Sequence, residues 1–393
     1  MALAQLSTRY PPAPGGVERH VEEISRRLVA RGRPVTVYTT RLYSEFPWQP
    51  FPRDFVEPRT PPGLTIRRVP AWSLPGELHY PFFRGLYRRL VSDRPELLHV
   101  HTYGTNHAAV ARRYYRRTGV PFVMTAHYHP IWSIHGGAVR HLIRGFYDRR
   151  LAAPIVADAA RLIVQTREEE RLIRANGFSL PPVEVIPPGY APSGAPPTDP
   201  EAFRRAFHID GPFVLFVGRL ASNKGLPALV EAFAELHRHD PTAYLVLIGG
   251  DEGERAGVER RARELGVSDR LRLTGFVADP SLLAAAFREA RWFALPSQYE
   301  AFGLVLLESL AQGTPVIASR VGGIPEFIED GKAGRLIPPE DARALANAFL
   351  ELWDDDATRS RWGTYGREMV VPRYQWDGVV DRLEAVYREV LDR

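Results

Sequence analysis

The chain has 393 residues, 45% hydrophobic and 25% charged, with no cysteine. This length predicts two domains of ordinary globular composition, and the lack of cysteine excludes disulfides and thiolate metal sites. The net charge of +5 hides a split: residues 1–190 carry 27 arginines against 15 acidic residues, and the remainder 24 basic against 31 acidic.

The opening Met1-Ala-Leu-Ala-Gln-Leu-Ser7 is too short and uncharged for a signal peptide. No apolar run reaches the ~20 residues that span a bilayer, so a cytoplasmic protein is expected. Short apolar runs then alternate with amphipathic stretches, the pattern of βα units stacked on a parallel sheet. In the first half, strands are expected at Leu3–Ser7, Val35–Tyr38, Leu64–Val69, Leu97–His101, Phe122–Ala126, Leu162–Gln165 and Val183–Ile186. Helices are expected between them at 17–30, 81–92, 105–117, 138–152 and 167–176, with Gly32 and Gly177 as left-handed stops. Pro187 to Pro200 is rich in Pro, Gly, Ala and Ser and reads as a linker.

The rhythm restarts with strands at Phe213–Val217, Ala243–Ile248, Leu271–Thr274, Trp292–Pro296, Thr314–Ala318 and Gly334–Ile337. Trp376–Leu391 is a helix striped with Val379, Leu383, Val386, Tyr387 and Val390, expected to pack back on the first domain. The expected class is α/β: two doubly wound parallel-sheet domains at 1–187 and 188–372, then a terminal helix at 373–393. Open α/β sheets bind ligands beyond the carboxyl ends of their strands, and the polar motifs lie there.

Two segments carry the chemistry. In Phe216-Val-Gly-Arg-Leu-Ala-Ser-Asn-Lys-Gly225, a strand ends at Gly218 and two cations follow, Arg219 and Lys224, with Ser222 placed to cap the next helix. Helix-start amides with a forked guanidinium and a compact ammonium suit a diphosphate; alone, the same residues read more readily as surface cations. In Glu300-Ala-Phe-Gly-Leu-Val-Leu-Leu-Glu308, a helix apolar nearly all round reads as buried. Glu308 within it then needs a partner, either a ribose diol or a structural ion pair. Glu300 and the amides of Phe302, Gly303 and Leu304 precede that helix and could face a sugar, although a carboxylate there also suits the helix dipole. Gly249 in Leu247–Gly253, and the Gly-Gly pair of Val321–Glu326, allow close backbone approach.

In the first domain, Gly15 and Gly16 stand between strand and helix, where an anionic group could be cradled. His127 ends the fifth strand and His101 the fourth; His129 and His135 follow nearby. A strand-end histidine is more often structural than catalytic.

In order, Gly15-Gly-Val-Glu-Arg-His20, Thr125-Ala-His127, Gly218-Arg219 with Lys224-Gly225, Gly275-Phe-Val277, and Glu300-Ala-Phe-Gly303 through Glu308 resemble the nucleotide-sugar-dependent, retaining glycosyltransferases of family four, group 1. The resemblance runs over almost the whole chain and implies two facing Rossmann-like domains (GT-B) with an inter-domain cleft. It implies that Arg219 and Lys224 contact the diphosphate, Glu308 the ribose, and Glu300 the hydroxyls of the donor sugar. Gly218, Gly249 and the amides of Phe302, Gly303 and Leu304 would hold phosphate and sugar, and Phe276 and Val277 would line the base pocket. His127 would touch the transferred sugar, and Gly16 donor phosphate or acceptor. One departure is Pro187-Pro-Gly189, where the family usually has Pro-Asn-Gly.

The resemblance further implies a hexosyltransferase that uses a UDP-, GDP- or ADP-sugar, with a lipid-linked, glycan or small-molecule acceptor, and with no cofactor or metal. The basic, aromatic segments Tyr80–Leu90 and Val139–Arg150 could lie on an anionic membrane surface or simply cover the sheet. Three other enzyme readings compete. A dehydrogenase needs Gly-x-Gly-x-x-Gly, which the Pro-rich first loop lacks. A glycoside hydrolase needs opposed acids, and Glu300 and Glu308 are poorly placed for that. An epimerase on the same fold, or a non-catalytic nucleotide-sugar binder, remains as the alternative.

Overall fold

The computed structural model describes residues 2–44, 48–72, 81–128, 130, 138–191, 199 and 201–392, with backbone alone at 138–141. It divides into two compact units, residues 1–189 with 376–393, and residues 190–375.

The first unit carries a seven-stranded sheet: β1 Leu3–Leu6, β2 Val35–Thr40, β3 Leu64–Val69, β4 Leu97–His101, β5 Phe122–Thr125, β6 Arg161–Val164 and β7 Val183–Val185. Its order is β7-β6-β5-β4-β1-β2-β3, and every pair is parallel. β1, β4, β5 and β6 are buried at every position. Strands covered on both faces are the expected result of such continuous apolar runs.

The second unit has six parallel strands. They are β8 Phe213–Val217, β9 Tyr244–Ile248, β10 Leu271–Gly275, β11 Trp292–Leu295, β12 Val316–Ser319 and β13 Gly334–Ile337, in the order β10-β9-β8-β11-β12-β13. Each sheet therefore reverses its winding once, between β1 and β4 in the first unit and between β8 and β11 in the second. Connections leaving in opposite directions open a crevice at the carboxyl ends there. The units have separate hydrophobic cores.

Several elements differ from the sequence expectation. The helix expected from 81 begins at Leu86, because Phe82–Phe83 pairs antiparallel with Ala71–Trp72. The expected 138–152 helix is a helix α2 at Ala138–Tyr147 (α1 being Gly16–Ala30), then a π-helical turn Asp148–Ala152 and a short helix Ala153–Ala157. The turn centres on buried Asp148, which accepts from Arg144 at 2.9 Å and Asn176 at 3.2 Å. β12 starts two residues late, since the Thr314 hydroxyl donates to the Phe287 carbonyl at 2.5 Å. The helix Ala202–Phe207 and the hairpin of Leu42–Ser44 with Gln49–Pro50 had no sequence signal recognised for them.

Ser222 does not cap the helix α3, Leu226–His239; residues Ser222–Lys224 form their own 3-10 turn, and left-handed Gly225 is the N-cap. The helix at Leu304–Ala311, α4, follows left-handed Gly303. The last helix, α5 at Trp376–Leu391, belongs to the first unit, burying Val379, Val380, Leu383, Val386, Tyr387 and Val390. Its Tyr387 hydroxyl lies 2.7 Å from Nδ1 of His99 in β4. Arg31 beyond α1 pairs with its Asp381 at 2.6 Å and Glu384 at 3.0 Å. The chain leaves the second unit between Gln375 and Trp376; Tyr190 donates its amide to the Tyr374 carbonyl at 2.6 Å, tying both ends of that unit together.

Candidate active site

At the switch point of the second unit, the loops after β8 and β11 are tied edge to edge. The Gln298 amide donates to the Asn223 carbonyl at 2.9 Å. This brings Lys224 Nζ to 2.5 Å from Glu300 Oε1, with both side chains about nine-tenths enclosed at 13% and 14% exposure. Ser297 Oγ donates to the same Oε1 at 2.8 Å. The loop after β12 closes on Glu300 from another side. The Gly323 amide donates to the Glu300 carbonyl at 3.2 Å, and a Cβ at Gly322 (φ 52°) would lie 1.7 Å from that carbonyl oxygen. No side chain fits at 322 without moving Glu300.

Arg219 sits one loop turn earlier, paired with Glu252 at 2.6 Å and largely exposed. The loops after β8 and β9 cross there: the Gly218 amide donates to the Ile248 carbonyl at 2.9 Å and the Leu220 amide to the Gly250 carbonyl at 2.8 Å. A Cβ at Gly249 (φ 152°) would stand 1.8 Å from the Gly218 carbonyl oxygen. Gly249 also donates its amide to the Gly275 carbonyl at 2.9 Å, which places Phe276 and Val277 beside this crossing. Phe276 is 79% exposed.

Phe302 is a core residue, stacked on Phe327 with centroids 4.6 Å apart, so its backbone rather than its ring is available to a ligand. Gly303 and Leu304 begin α4, whose first amides have no intrahelical acceptor. Glu308 corrects the sequence reading: it is half-buried, not buried. Leu304, Glu308, Ala311 and Gln312 share one helical face, and all are partly open. That face keeps Glu308 accessible, whereas Leu306, Leu307 and Leu310 fill the core.

In the first unit, Gly15 precedes α1 with φ 152°, and a Cβ there would meet the Glu18 carboxylate at 1.9 Å. Glu18 pairs with Arg9 at 2.8 Å, so this helix start already faces an internal anion. A side chain at Gly16 would meet nothing within 4 Å. His127 is 9% exposed with a left-handed backbone, φ 44°. Such a conformation is unfavourable for a non-glycine residue. Its Nδ1 lies 3.4 Å from the Gln165 amide nitrogen.

His101 and His20 stand against His127, with ring centroids 5.8 Å and 5.4 Å away. Burial pushes His20 down to about 4. It pushes His101 well below its ordinary value, with neighbouring histidines adding to the effect. His99, pushed to about 3 chiefly by burial, spends both nitrogens on Tyr387 and Thr125. His129 and His135 lie outside the described residues.

Residues 199–369 match the family described as glycosyl transferases group 1, and residues 15–189 a glycosyl transferase 4-like domain. The D-inositol 3-phosphate glycosyltransferase of Acidothermus cellulolyticus is 33% identical over 96% of this chain and 86% of its own length. That of Frankia alni is 32% identical over 96% and 95%. The chain belongs to glycosyltransferase family four, group 1.

Among solved structures, this glycosyltransferase is similar to a sucrose-phosphate synthase from Thermosynechococcus elongatus, with TM-score 0.80 and 26% identity over 100% of this chain and 99% of the other. The fold also matches Anabaena HepE, crystallised with UDP and glucose, at TM-score 0.74 and 20% identity over 98% and 99%. Both are consistent with the two-domain GT-B architecture. Two residues that hold the glycosyltransferase's site together have no place in the sequence expectation: Ser297, three residues before Glu300, and Glu252, which reaches Arg219 only through tertiary folding. Gly322, expected to allow close backbone approach, does so toward the Glu300 carbonyl.

Proposed function

We propose that the protein transfers a hexose from a nucleoside-diphosphate sugar to an acceptor hydroxyl, retaining anomeric configuration and requiring no metal. The carrying observation is the Lys224–Glu300 contact of 2.5 Å across the switch point of the second unit. An ammonium has three donors; one meets Glu300, leaving two for phosphate oxygens. Glu300 Oε1 already accepts from Lys224 and Ser297, leaving Oε2 for hydroxyls of the sugar. One ion pair thus joins the two ends of an activated sugar.

As the anomeric C–O bond breaks, negative charge grows on the leaving diphosphate. Lys224 and Arg219 stabilise that charge, Lys224 from a largely enclosed position where a fixed cation acts strongly. Arg219 leaves Glu252 at little cost, because exposed ion pairs contribute little. The open face of Glu308 suits the ribose, Phe276 the base, and the first amides of α4 the phosphates. His127, with Gly16, would meet the transferred sugar or the acceptor.

The names of the relatives support a small phosphorylated polyol among the acceptors. The test is incubation with UDP-, GDP- and ADP-hexoses, with and without EDTA, against D-inositol 3-phosphate and simpler hydroxyl acceptors. Expected are release of one nucleoside diphosphate per glycoside formed, no loss of activity in EDTA, and a product whose anomeric coupling in NMR matches the donor. Tight donor binding with no release in any mixture would leave a non-catalytic binder instead.

A peripheral membrane location is the second proposal, carried by α2 and the turn after it. Leu142, Ile143, Phe146 and Leu151 are exposed beside exposed Arg149 and Arg150. Apolar side chains flanked by arginines suit an anionic bilayer. The 81–90 segment instead buries Phe83, Leu86 and Leu90. No helix among the described residues is long and apolar enough to cross a membrane. Co-sedimentation with phosphatidylglycerol vesicles, lost in Phe146→Asp, is the expected result; equal sedimentation of both proteins rejects it.

A further inference from the structure

The crevice of the first unit holds a cluster of which the proposed sugar transfer uses only His127. His101 closes β4, His127 follows β5, and His20 comes from the second turn of α1, so three elements deliver one ring each to the switch point. One nitrogen from each ring lies within 4.8 Å of the other two. His20 packs edge-on against both partners, with interplanar angles of 75° and 87°. Two of the three rings are fully or almost fully buried and stay neutral at physiological pH.

The hydrogen bonding separates this trio from buried His99, though not from buried His107, whose Nδ1 is also without a partner among the described residues. With Gln5 Oε1 accepting from His101 Nε2 at 2.7 Å, the lone pair of that ring is on Nδ1. That Nδ1 is enclosed and has no hydrogen-bond partner among the described residues, and the same holds for Nδ1 of His20. Enclosed polar atoms without partners are costly. His99, by contrast, has both nitrogens engaged. A divalent cation of the zinc class accepts imidazole nitrogens from several rings at once, and the three rings lie close enough together to supply them.

We propose that His20, His101 and His127 form a binding site for one divalent late-transition-metal ion of the zinc class, and that the bound ion holds the transferase inactive. Three imidazoles with an open fourth position are an established zinc donor set, with Zn–N near 2.0–2.1 Å. Tetrahedral geometry at that bond length sets nitrogens about 3.4 Å apart, so side-chain rotation draws the rings inward from their present spacing. Supporting contacts are present. The Gln5 oxygen orients His101, and the Gln165 amide, turned over, would accept Nδ1–H of His127 and leave Nε2 for the metal. The inhibitory half rests on the proposed contact of His127 with the sugar, because a metal-bound imidazole cannot also serve the substrate.

The test titrates Co2+ into tag-free, EDTA-treated full-length protein. One equivalent is expected to produce the intense visible absorption of a tetrahedral site, displaced by Zn2+. His20→Gln should weaken binding at least tenfold. His20→Cys should restore it and add a thiolate-to-cobalt charge-transfer band, in a chain that otherwise has no cysteine. That gain of signal does not arise from misfolding. Equimolar Zn2+ should suppress transfer at least tenfold in the wild type, reversibly with EDTA, and leave the ratio of activities with and without Zn2+ near one in His20→Gln. No tetrahedral spectrum in the wild type, or the same spectrum in His20→Gln, overturns the site. A site that fills without loss of transfer overturns the inhibitory half. If no transfer is found with any donor, the cobalt spectrum still decides the metal site.

Discussion

Lys224 and Glu300 lie 76 positions apart in sequence yet share a contact of 2.5 Å, and their two removals are expected to differ. Lys224→Ala takes away the proposed diphosphate cation and leaves Glu300 its Ser297 bond; donor KM should rise at least tenfold, with stability falling by about 1–3 kcal/mol. Glu300→Ala should instead abolish measurable transfer, with nucleotide affinity changed much less. Steady-state kinetics on both variants separates the two roles, and equal effects on KM and kcat would merge them. The residue types were legible in sequence because cations after one strand and a carboxylate after another suit an activated sugar. Their direct contact was not, since it depends on the amide of Gln298 meeting the carbonyl of Asn223. Glu308 was misread because apolar composition was weighed over angular position. Residues 304, 308 and 311 share a face that composition alone does not reveal.

At the scale of elements, the loops after β8, β9, β11 and β12 of the second unit are held by one another's backbone. Gly322→Ala places a methyl group against the Glu300 carbonyl in a left-handed conformation. A cost of about 1–3 kcal/mol is expected from the backbone alone, and transfer should drop by more than the loss of folded protein explains. Urea denaturation alongside specific activity checks this; wild-type specific activity would show that the loop does not position Glu300. The strands were readable because runs such as Phe213–Val217 are continuous and apolar, with turn residues behind them. The π-helical turn at Asp148 was hidden, since it exists to bring a buried carboxylate to Arg144 and Asn176. The capping role assigned to Ser222 failed for a similar reason: the 3-10 turn uses that residue, and Gly225 starts the helix.

Over the whole molecule, the chain builds one Rossmann-like unit, then a second, and returns to the first with α5. The amphipathic stripe of α5 was evident in sequence, whereas the hydroxyl of Tyr387 on His99 was not. Tyr387→Phe leaves a buried imidazole nitrogen without that partner and should cost about 1–3 kcal/mol, read as a lower urea midpoint; an unchanged midpoint would show that the contact contributes nothing. The excess of 12 positive charges over residues 1–190 lies in the unit that also exposes Phe146 and its neighbours. Vesicle binding that weakens with salt belongs to the same expectation.

The most direct test of the donor site is calorimetric titration of UDP, GDP and ADP into wild-type protein and into Lys224→Ala. One diphosphate should bind the wild type with one-to-one stoichiometry and lose at least tenfold in affinity when Lys224 is removed. Identical dissociation constants for the two proteins would place the diphosphate elsewhere and contradict the assignment of this crevice.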